Sequence, residues 1–154
     1  MKFVYDDGGR EAAGFKGKTG DCVARSIAIA TDLPYTIVYD RLSLGNQTQR
    51  ITKNSGRRPS AGMRSAAHGI WTRRQWFKDY MQELGFTWHA CMGIGTGCKV
   101  HLKDNELPKG RLVVALSRHY AAVIDGVLHD TYEDARDGTR CVYGYWQYKG
   151  VNHG

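Results

Sequence analysis

The chain has 154 residues, of which 42% are apolar, 24% charged and 11% aromatic. That is an ordinary globular mix, which excludes a disordered or fibrous chain, fits one domain and can bury a core without a disulfide or metal. No run approaches eighteen apolar residues, so a membrane-spanning helix is excluded, and acidic residues interrupt the opening MKFVYDDGGREAAGF where an export signal needs an apolar core. A soluble, cytoplasmic protein is expected, with Cys22, Cys91, Cys98 and Cys141 all reduced.

Net charge is +7, and its distribution is uneven. Between Asp40 and Asp79 there is no carboxylate, while Arg41, Arg50, Lys53, Arg57, Arg58, Arg64, Arg73, Arg74 and Lys78 fall in that span. The rest of the chain has a slight acidic excess. A basic stretch of this kind suits an anionic partner, such as nucleic acid or an acidic protein face, or is simply a solvated loop.

In chain order, a glycine-rich approach over residues 1–20 contains a short strand at Lys2–Tyr5. CVARSIAIATDL repeats Val23, Ile27 and Ala30 at helical spacing, with Thr19 or Asp21 available as its cap. Pro34 opens a second helix, PYTIVYDRLSL, with Ile37, Val38, Arg41 and Leu42 on one side. Residues 45–70 are rich in Gly, Ser and Arg and read as a long loop or excursion.

The next helix has a capping box, Thr72 with Gln75, and Trp71 placed to staple to Trp76. Trp76, Phe77, Tyr80, Met81 and Leu84 form its apolar stripe, and Gly85 stops it. Beyond Gly85 the period becomes that of strands: FTWHACM, KVHL, RLVVALS, YAAVIDG, VLHDTYE and CVYGYWQY. Asp125-Gly126 marks a tight hairpin. Helices followed by an antiparallel sheet give an α+β fold.

Three residues fall where chemistry needs them. Cys22 follows Gly20-Asp21 and opens the first helix, where exposed backbone amides favour a thiolate and can donate to an oxyanion. The alternative is a small buried cysteine at a helix start. His119 sits between two apolar strands and can serve as partner to a thiolate. Counting outward from Asp125-Gly126 pairs Ile124 with Val127, Ala122 with His129 and Ala121 with Asp130. Asp130 then shares a face with His119, diagonally across the hairpin, while His129 points the other way.

The segments GDCVARSIAIATDLPYTIVYDRL and ELPKGRLVVALSRHYAAVIDGVLHDTYE resemble the papain-like cysteine peptidase superfamily. They are most similar to the small phage and prophage proteins akin to bacteriocin-leader-processing peptidases. The resemblance covers about a third of the chain and implies a papain-like α+β domain with Cys22 as nucleophile, His119 as base and Asp130 as orienter. The family carries a glutamine about six residues before its cysteine as an oxyanion donor. Lys16 stands there instead, leaving Lys16, Lys18, Thr19 or a backbone amide for that task.

The expected function is thus a thiol hydrolase acting on a peptide, isopeptide or side-chain amide, with acyl transfer as a variant, and no cofactor or metal is called for. Its substrate would be a protein or peptide, recruited as an acid by residues 41–78, which also suit nucleic acid. The alternative is a papain-like binding module without catalysis. His89, Cys91, Cys98 and His101 offer zinc-compatible side chains in a spacing that matches no finger, and read as strand residues around a glycine-rich turn. Asp134 and Asp137 read as turn residues, Asp134 also as an alternative orienter, and His68 and His153 as surface residues.

Overall fold

A six-stranded mixed sheet carries three helices in the computed structural model, which describes residues 1–16, 20–49, 65–67, 69–93 and 95–150. The elements in chain order are β1 (Lys2–Tyr5), α1 (Cys22–Thr31), α2 (Tyr35–Thr48), α3 (Gln75–Leu84), β2 (Phe86–Ala90), β3 (Arg111–Leu116), β4 (His119–Ile124), β5 (Val127–Asp130) and β6 (Gly144–Tyr148). The sheet order is β1-β5-β4-β3-β6-β2. The fold is therefore α+β. Among the described residues, no helix is long and apolar enough to cross a membrane.

Strand alternation places two cores on the two faces of the sheet. Val113 and Trp146 meet the helices, packing with Val23, Ile27, Val38, Leu42, Phe77 and Met81. Leu112, Val114, Val123 and Leu128 meet Leu102, Ala135 and Val142 in the second core. β3 is buried on both faces for this reason, which explains its unbroken apolar run.

Arg111 sets the position of α1. Its guanidinium donates to the carbonyls of Ile29 and Ala30, which the end of a helix leaves without partners, and pairs with Asp32 at 3.2 Å. Arg111 is also the cross-strand partner of Ile124, at the far end of β4 from His119. A ten-residue helix is about 15 Å long, close to the roughly 17 Å that β4 needs to return to His119. Cys22 is thereby brought beside His119.

The Asp125-Gly126 turn has φ of 49° and 80°, both left-handed as a type I′ turn requires, and Ile124–Val127 and Ala122–His129 pair as counted. Other expectations need correction. β1 pairs in parallel with β5, so the sheet is mixed; nothing local to residues 2–5 specifies a partner some 125 positions away. KVHL forms no strand, only an isolated bridge from His101 to Cys141. α2 runs on to Thr48, because Asn46 Nδ2 is taken up by the carbonyls of Ser65 and Gly69 and Gly45 lies against the Trp76 ring. Ile37 is exposed; the buried stripe is Tyr35, Val38, Leu42 and Gly45–Asn46.

The capping box of α3 does not form. The helix starts at Gln75, whose Nε2 donates to Asp79, and the cap position before it is Arg74, whose side chain makes no capping bond and lies over the Trp71 ring. Gly85 ends it in the left-handed conformation, as expected. The expectation of four reduced cysteines fails at two positions, since Cys98 and Cys141 form a disulfide. The central part of the 45–70 segment, with Arg50, Lys53, Arg57, Arg58, Arg64 and His68, lies outside the described residues, as do Lys18, Thr19 and His153.

Candidate active site

Cys22, His119 and Asp130 come together at the end of the sheet that the β3–β4 turn closes. Nε2 of His119 donates to Asp130 Oδ2 at 2.6 Å, and the Cys22 side chain is within hydrogen-bonding reach of the same ring. With Nε2 committed to the carboxylate, Nδ1 is the nitrogen left for the sulfur. Cys22 is half-buried, whereas His119 and Asp130 are buried. The Tyr132 ring, half exposed, lies 5.5 Å from the imidazole.

Asp134 belongs to the site as well. Its Oδ2 lies 3.0 Å from His119 Nε2, and Arg140 stands 3.6 Å behind it. The sequence reading ranked it below Asp130 and as a turn residue; the structure gives the imidazole two buried carboxylates. Burial opposes the charged ring, yet hydrogen bonds to Asp130, Asp134 and Cys22 prevail and push His119 up to about 12. Burial likewise opposes ionisation of Asp134, but His119 and Arg140 hold its carboxyl below the usual range. The ring is therefore an imidazolium at neutral pH.

A third carboxylate supports the cysteine from below. Asp21 is fully buried, and its oxygens meet Arg10 Nε at 2.9 Å, Arg25 Nη1 at 2.9 Å and the Tyr35 hydroxyl at 2.5 Å. The Tyr35 hydroxyl, buried and bonded to that anion, is driven well above its ordinary range. Because Asp21 binds these groups, it makes no capping bond to α1. The opening amides of the helix are left unclaimed by that side chain. Arg25 also reaches Asp130 Oδ1 at 3.9 Å, joining the cysteine's support to the histidine's.

Arg10, Asp21 and Arg25 were missed as site residues. The i,i+4 spacing of Asp21 and Arg25 on one helix was the available signal. Arg10 arrives through tertiary structure alone: residues 6–16 turn back over α1, and Gly8 at φ 69° approaches so closely that a Cβ there would meet the Arg25 carbonyl at 2.9 Å.

A cleft of about 820 Å³ opens onto Cys22 and His119, and Gly20, Lys16, Arg118 and Tyr132 also line it. Lys16, in the place of the expected glutamine, thus borders the cleft. His129 faces away from the site and lies 3.5 Å from Asp6. The zinc-compatible residues do not assemble, because Cys98 is bonded to Cys141. Among the described residues, the one cluster with metal-ligand geometry is His119, Asp130 and Asp134 itself, where Nε2 is already bonded to Asp130 and ion-paired with Asp134. No protein-family model, curated protein or solved structure matches the chain.

Proposed function

We propose that the protein is a papain-like thiol hydrolase, of the kind carried by phages and prophages, that cleaves an amide through a Cys22 thioester. The observation that carries the reading is the paired placement of a helix-opening sulfur and a carboxylate-bound imidazolium in one open cleft. Cys22, as thiolate, attacks the carbonyl carbon, and the oxyanion is received by the opening amides of α1 and the backbone near Gly20. His119 gives its proton to the leaving amine, and the C–N bond breaks to leave the thioester. Water, losing a proton to His119, then attacks the thioester carbonyl, the C–S bond breaks, and the acid leaves with the thiolate and the imidazolium restored. An amine in place of water would make the same apparatus an acyltransferase. Asp130 and Asp134 hold the ring and stabilise its charge throughout.

The substrate is a protein or peptide amide. The cytoplasm of a bacterial host, expected from the sequence, is in tension with the Cys98–Cys141 disulfide, since such bonds persist mainly in oxidising compartments. The reading of the site does not depend on that location.

Iodoacetamide at neutral pH tests the reading. Cys91 is the other free thiol, and burial pushes it up, so Cys22 is expected to be alkylated at least about tenfold faster. Equal rates at the two positions would refute the hydrolase. A second reading, a binding module without catalysis that uses residues 41–78 on nucleic acid or an acidic protein, is favoured by Lys16 standing where the family has its amide donor. Under that reading Cys22→Ala retains biological effect, and charge reversal at Arg57, Arg58 and Arg64 abolishes it.

A further inference from the structure

A second cleft, of about 640 Å³, lies on the other side of the Arg118–His119–Tyr132 rim, and those three residues line both clefts. Arg118, Arg136 and Arg140 border it together. Arg140 is buried, anchored through Nη2 to the Ser117 carbonyl at 2.9 Å, and its Nε has no hydrogen-bond partner among the described residues. Arg118 and Arg136 are exposed, and neither guanidinium has an acidic partner among the described residues. Both backbones are left-handed, at φ 55° and 53°, a conformation that residues other than glycine adopt rarely. Two rare turns therefore deliver two unpaired guanidinium groups to one cleft, beside a third, Arg140, that Ser117 and Asp134 fix in its wall. Of the two acids there, Asp134 is engaged by His119 and Arg140, and Glu133 is exposed.

We propose that Arg118, Arg136 and Arg140 form a carboxylate-binding subsite adjoining the Cys22–His119 cleft, and that the substrate is an acidic peptide read there. The catalytic meaning rests on the hydrolase reading; the binding does not. Guanidinium groups suit carboxylates because their paired N–H donors match the two oxygens, and such bonds are strong when one side is buried. The subsite, rather than the basic 41–78 stretch, then selects the acid. A carboxylate side chain seated in it leaves the neighbouring part of the peptide to cross the rim to the sulfur.

Fluorescence anisotropy with fluorescein-labelled tetraglutamate and tetraglutamine, at physiological salt, measures this directly. Tetraglutamate is expected to bind at least about tenfold more tightly than tetraglutamine, and R118Q and R136Q each to weaken it by about tenfold. Both variants are at exposed positions, and thermal melts verify their folding. The triple variant R57Q/R58Q/R64Q is expected to change affinity by less than about twofold. Saturating tetraglutamate is further expected to slow iodoacetamide at Cys22. Equal affinity for the two peptides, or loss of binding in the triple variant with R118Q and R136Q retained, overturns the subsite. Binding without protection of Cys22 overturns its role in substrate selection. Intact selective binding with an unreactive Cys22 leaves the subsite standing and removes the hydrolase.

Discussion

Two carboxylates converge on one nitrogen of His119, and this decides how the residue behaves with pH. The pairing raises the ring from 6.5 to about 12, so the stability it contributes is complete below 6.5 and is lost only as pH climbs through about 12. Asp134 works in the opposite sense. Held below 3.8, it contributes fully above that value and loses its contribution as pH falls through the lowered folded value. The ring is therefore expected to remain an imidazolium in nitrogen NMR from about pH 5 to about 10, and its titration to move downward in Asp134→Asn. A ring that loses its proton near 6.5 in the unmodified protein would refute this account of the site. His119 and Asp130 were legible in the sequence because they belong to one hairpin whose turn fixes its own register. Asp134 was legible only as an alternative to Asp130, not as a second carboxylate beside it: it lies four residues beyond the strand, and the path of the following turn returns its side chain to the ring.

At the level of elements, the signals that held were those written into the backbone. Gly85 ends α3 and Asp125-Gly126 reverses the chain because each needs a positive φ, a local requirement. The signals that failed were overridden from outside the element. Gly45 and Asn46 look like helix breakers, yet α2 continues through them under Trp76, whose Nε1 donates to Gln49 Oε1 at 2.9 Å. Gly45 is needed there for its lack of a side chain, as a Cβ would drive into the Trp76 ring. Gly45→Ala, which raises helix propensity, is nonetheless expected to destabilise the protein by about 1–3 kcal/mol through overpacking. Melting should fall by roughly 2–4 °C for each kcal/mol. An unchanged or higher melting temperature would show that the ring yields freely and that the α2–α3 contact does not hold the helix.

Across the whole molecule, the sheet is covered on one face by helices and on the other by segments that are mostly irregular. Leu102, Ala135 and Val142 seal that second core, and the Cys98–Cys141 bond with the His101–Cys141 bridge joins the covering segments. These segments have few ladder hydrogen bonds of their own, so the covalent tie substitutes for a regular element. The bond closes a loop spanning 43 positions, for which removal is expected to cost about 2–4 kcal/mol. Thermal melts of the oxidised protein against the Cys98→Ser/Cys141→Ser double variant check this, with intact mass giving the thiol count. Indistinguishable melts would mean that the apolar cover holds without the bond. The sequence offered four cysteines, and their number does not identify which sulfurs meet.

The sequence by itself determined the three helices apart from the end of α2 and the cap of α3, the strands apart from KVHL, the hairpin register and the residues of the Cys22–His119–Asp130 set, because backbone preference and side-chain period act within a few positions of their cause. Tertiary structure alone decided the parallel pairing of β1, the second carboxylate on His119, the Arg10–Asp21–Arg25 support and the joined cysteines. Each of those depends on which distant surfaces dock and which charges lose their water when they do, and that free energy is not contained in any short stretch of chain.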